Sequence, residues 1–108
     1  MKKIILSLMF ATTLFAPAVS AYKIYGSGNF SCGIWLDSSE AKDNIHQELQ
    51  SWVTGFVSGA NFYVGPTAKH TETKFMFSWI DNYCQKSPLD SVGQAAASLM
   101  YELARTTK

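Results

Sequence analysis

The chain has 108 residues, with nine Lys+Arg against eight Asp+Glu and a formal net charge of +1. So even a balance excludes the basic stripe that nucleic-acid binding demands and the polybasic patch that draws proteins to anionic membranes. The length suits one small domain, which buries a limited core and gains much from a covalent staple.

Met1-Lys2-Lys3 leads into an apolar run over residues 4–8 that continues through Met9, Phe10, Leu14 and Phe15 until Pro17 breaks it. Val19-Ser20-Ala21 then has the small-residue form of a cleavage site. Basic start, apolar middle and small-residue exit predict a secretory signal peptide over residues 1–21. An uncleaved anchor is the rival reading, but the run is short for a span and nothing basic follows to stop transfer. The expected product is a periplasmic protein with no membrane attachment after cleavage. It is a single helical domain over residues 22–108, and 21 residues removed from 108 leave 87. Losing Lys2 and Lys3 leaves seven basic against eight acidic side chains, a net charge near −1.

Cys32 and Cys84 are the two cysteines. In an exported protein an even pair reads first as a disulfide. The competing reading, two free thiols for metal or redox work, lacks a C-x-x-C motif and a histidine at ligand spacing.

The stretch YKIYGSGNF, residues 22–30, is glycine-rich and predicts an extended lead-in. Residues 31–39 form a candidate short helix turning Cys32, Trp35 and Leu36 inward. Residues 44–63 predict the central helix, because Ile45, Leu49, Trp52, Val53, Phe56, Val57, Ala60 and Tyr63 recur at three- and four-residue spacing. Asp43 and Asn44 suit its start and Gly65-Pro66 its end. Gly55 and Gly59 lie on one edge of it beside Trp52. Each costs about 1 kcal/mol relative to alanine in a helix interior, so a packing reason is expected. An internal helix crossing is one reason; a homodimer seam or a docking groove is another. His46 sits at the edge of the apolar face, either as a hydrogen-bonded, partly buried side chain or as a pH sensor. His70 falls in a loop and is expected to be solvated.

Residues 72–84 repeat the helical rhythm with Phe75, Met76, Trp79, Ile80 and Tyr83, more a core pattern than a cofactor box. Ser87-Pro88-Leu89-Asp90 reads as a helix start, with Ser87 as cap and Pro88 in the first position. Leu89, Val92, Ala96, Leu99 and Leu103 then share a face. The expected architecture is an all-α bundle of about four helices stapled by one disulfide.

No nucleophile elbow, phosphate-cradling loop or metal-ligand spacing stands out. No catalytic residues, metal or cofactor are therefore expected, and the chain reads as non-enzymatic. Trp52, Gly55, Phe56, Gly59, Phe75 and Trp79 are the candidate protein-binding residues.

The order Cys32-Gly33-Ile34-Trp35-Leu36, Trp52-Val53-Thr54-Gly55-Phe56, Trp79 to Tyr83-Cys84 and then Pro88 before a last helix resembles the HdeA family of small periplasmic acid-stress chaperones. That resemblance covers most of residues 22–108. It implies an all-α fold with Cys32 joined to Cys84. It also implies an activity: inactive near neutral pH, loosened in acid, and then shielding unfolding periplasmic proteins. This chain departs from the family in its few acidic groups and in lacking a lysine-rich tail. Small exported helical proteins with one disulfide also include immunity proteins that bind one periplasmic target, such as a peptidoglycan hydrolase.

Overall fold

A computed structural model describes residues 23–64 and 72–105. The expected signal peptide and His70 lie outside the described residues. Four helices form where the apolar rhythm places them: α1 (Cys32–Ala41), α2 (Asn44–Val64), α3 (Thr73–Lys86) and α4 (Val92–Arg105). They make an all-α bundle, and Cys32 and Cys84 are joined across α1 and α3 with Cα atoms 4.9 Å apart.

Local chemistry sets the helix starts. Ser31 Oγ accepts a hydrogen bond from the Ile34 N–H at 3.2 Å, capping α1. Asp43 does the same for α2, accepting from the His46 N–H at 3.1 Å. At α4, Ser91 Oγ accepts from the Gln94 N–H at 3.0 Å while Gln94 Oε1 accepts from the Ser91 N–H at 2.7 Å. That reciprocal pair is a capping box.

It corrects the expected start of the last helix, which begins at Val92 and not at Pro88. Residues 87–90 instead form a turn, with the Asp90 N–H on the Ser87 carbonyl at 3.1 Å. The turn's carbonyls serve α1: Asp90 O accepts from the Cys32 N–H at 2.7 Å and Pro88 O from the Gly33 N–H at 3.2 Å. These amides at the head of α1 have no partner within their own helix, and the turn satisfies them. Leu89, expected in the core, is 95% exposed on this turn.

The core is drawn from all four helices, with Trp35, Leu49, Val53, Ile80, Val92 and Leu99 fully buried. Ile45, Tyr63 and Phe75 fit the apolar periodicity yet are exposed. Each lies in an end turn of its helix, where fewer neighbouring elements reach. The glycine-rich lead-in is not extended throughout. It turns through a 3-10 segment, Gly26–Asn29, whose Ser27 and Gly28 are buried. Among the described residues, no helix is long and apolar enough to cross a membrane.

Candidate protein-binding surface

Aromatic residues four apart on a helix stack on the same face. Among the described residues, two such pairs are stacked. Trp52 and Phe56 on α2 have ring centroids 5.3 Å apart and nearly parallel planes. Trp79 and Tyr83 on α3 lie 5.7 Å apart in the same manner. All four are half-buried. They do not meet, because each pair lines its own cleft. The first cleft, about 300 Å³, runs between α2 and α4 beneath residues 23–25 and includes Gly93 and Ala97. The second, about 410 Å³, is bordered by Asn82, Lys86 and Ser87. Phe75 lines neither and is 46% exposed.

Gly55 and Gly59 do not mark an internal helix crossing. A Cβ added at either would meet none of the described residues within 4 Å. The packed face of α2 carries Leu49, Val53 and Val57, and a helix advances 100° per residue, so Gly55 and Gly59 are turned well away from it. The close approaches occur at other glycines. A Cβ on Gly28 would lie inside the indole ring of Trp52, and one on Gly93 would lie 2.6 Å from Ile24 Cδ1. Trp52 Nε1 also donates to the Tyr25 carbonyl at 2.8 Å. The lead-in residues Ile24, Tyr25 and Gly28 thus belong to the Trp52 site, which the sequence reading did not include. The glycine richness of YKIYGSGNF was the available signal for a backbone pressed against an aromatic face.

His46 bridges α1 and α2. Its ring meets the Trp35 ring edge-on with centroids 4.8 Å apart. Nδ1 lies 3.4 Å from Ser38 Oγ, and Nε2 lies 3.2 Å from Gln50 Nε2. Ser38 donates its proton to the Trp35 carbonyl at 3.1 Å, so its oxygen is available to the imidazole. The geometry matches the hydrogen-bonded, partly buried histidine.

Two carboxylates hold aromatic groups, Asp81 unnoticed in the sequence and Asp90 expected there only at a helix start. The buried Trp35 donates from Nε1 to Asp81 Oδ1 at 2.6 Å, and Tyr83 donates from its hydroxyl to Asp90 Oδ2 at 2.6 Å. Among the described residues, no group of three or more His, Cys, Asp or Glu is placed to hold a metal ion. No protein-family model, curated protein or solved structure matches this chain.

Proposed function

We propose that this chain is an exported, non-enzymatic protein-binding domain of the periplasm, and that it works as an acid-stress chaperone of the HdeA kind. The observation that carries this reading is the uneven construction of the bundle. The disulfide ties α1 to α3, whereas α2 and α4 hold the half-buried Trp52 and Phe56 by packing and carry Phe62, Tyr63 and Tyr101 exposed. Below about pH 3 most carboxylates are neutral. Seven basic side chains and two histidines then take the mature chain from about −1 to about +9. Self-repulsion favours expansion. The staple keeps two apolar segments together while the aromatic surface of α2 opens to a client.

The test is aggregation of an acid-labile periplasmic protein at pH 2–3, with and without a molar excess of this one. Protection should appear over the same pH range as an apolar-dye signal. A protein that stays closed to dye, or gives no protection at pH 2, sinks the reading. The preformed cleft beside Trp79 favours a second reading, a rigid inhibitor or immunity protein with one periplasmic target, since a preorganised surface avoids the ordering cost of binding. A pull-down from periplasm at pH 7 that recovers one partner stoichiometrically selects it.

A further inference from the structure

Residues 23–30 lie over α2 and α4 as a bound peptide would. The backbone is extended at Tyr25 (φ −103°, ψ 147°) and turns at Gly26, which has φ +79°. Three contacts hold residues 24–28. The Tyr25 carbonyl receives the Trp52 indole N–H, Gly28 lies flat against the indole ring, and the Ile24 side chain rests on the bare backbone of Gly93. Tyr25 itself is 78% exposed and is no anchor. Beside the strap lies a cleft of about 300 Å³ bordered by Trp52, Phe56 and Ala97. It precedes Cys32, and the disulfide does not restrain it. Its far end is fixed where the Phe30 carbonyl accepts from the Val92 N–H at 2.8 Å.

We infer that the groove between α2 and α4 is a peptide-binding site, closed in the resting protein by the chain's own residues 23–30. In a client it takes an aliphatic side chain followed, two and four residues on, by glycines in a turn. This rests on the protein-binding reading and names the surface that meets the client. The indole N–H reads a backbone carbonyl, which every polypeptide offers. Gly93 admits a branched aliphatic group because it has no side chain. The indole face excludes any residue larger than glycine at the third contact. A client must displace the strap, so its apparent affinity is reduced by the fraction of molecules in which the strap is open.

The experiment uses the mature chain and a fluorescent peptide of residues 23–30. The control peptide carries Ile24→Asp and Gly28→Leu. The strap is released in the protein by the same two substitutions, which leave the groove untouched; Ile24→Asp alone is the milder version. Ile24→Cys with Gly93→Cys locks it. The released protein should keep its helical circular dichroism, gain chymotryptic cleavage after Tyr25, and bind the peptide at neutral pH at least about ten-fold tighter than wild type. The locked protein should not bind, and the control peptide should bind neither. A released, helical protein that binds the peptide no better than the control overturns the inference. So does loss of helix in both release variants, which would make the strap an integral part of the fold. Concentration-dependent dimers that the peptide dissolves would assign the groove to a second copy's strap instead of a client. Peptide binding without protection at pH 2–3 leaves the groove and removes the chaperone reading; protection without peptide binding does the reverse.

Discussion

Trp35 and Trp52 stand on successive helices, and the chain holds them by different means. Trp35 is fully buried, its indole N–H on the Asp81 carboxylate, three residues along α1 from a disulfide. Trp52 is half-buried, its N–H on a backbone carbonyl of the strap, its ring against a glycine. A bond to an ionised acceptor is roughly twice as strong as one to a neutral carbonyl. The first tryptophan therefore sits in the part of the bundle secured by covalent and charge-assisted links. The second sits where shape fit between glycine and aromatic supplies the hold. One half is tied by a disulfide and a carboxylate, the other by shape fit, and that is the contrast the proposed covered groove requires.

The largest blow to this contrast comes from the staple. The bridged cysteines are 52 residues apart, and replacing both by alanine should cost about 2–5 kcal/mol in urea unfolding. A loss that small-domain packing absorbs without change would show that the α1–α3 half is not specially secured. Next in size is Asp81→Ala, which leaves the buried Trp35 N–H without its acceptor and should cost about 1–3 kcal/mol. Asp81→Asn, which keeps an acceptor oxygen, should cost less, and equal losses would contradict the assigned role of the carboxylate. The smallest effects belong to the open edge of α2. Gly55→Ala and Gly59→Ala have room for the added methyl and should each raise monomer stability, by up to about 1 kcal/mol. Destabilisation by either would show that another backbone does approach there, and lost self-association on sizing chromatography would reveal a seam between copies.

The apolar stripes of α2, α3 and α4 were legible in the sequence because each runs more than two turns, whereas α1 rested on Cys32, Trp35 and Leu36 alone. The fourth start was misread because Ser87-Pro88 and Ser91 to Gln94 are both plausible caps in one short stretch. The choice between them depends on α1, whose head needs the carbonyls of Pro88 and Asp90. The internal crossing expected at Gly55 and Gly59 falls at other glycines for a similar reason. A small residue announces that something comes close or that nothing does, and only the third dimension separates Gly28 and Gly93 from Gly55 and Gly59. The Trp35–Asp81 bond joins residues 46 positions apart on different helices, and no local pattern encodes it.

Amide hydrogen exchange at pH 7 tests the central contrast directly. Residues 23–30 and the α2 amides around Trp52 and Phe56 should exchange first, while α1 around Cys32–Trp35 and α3 around Ile80–Cys84 remain protected. Simultaneous loss throughout the bundle, or opening that begins beside the disulfide, would contradict it.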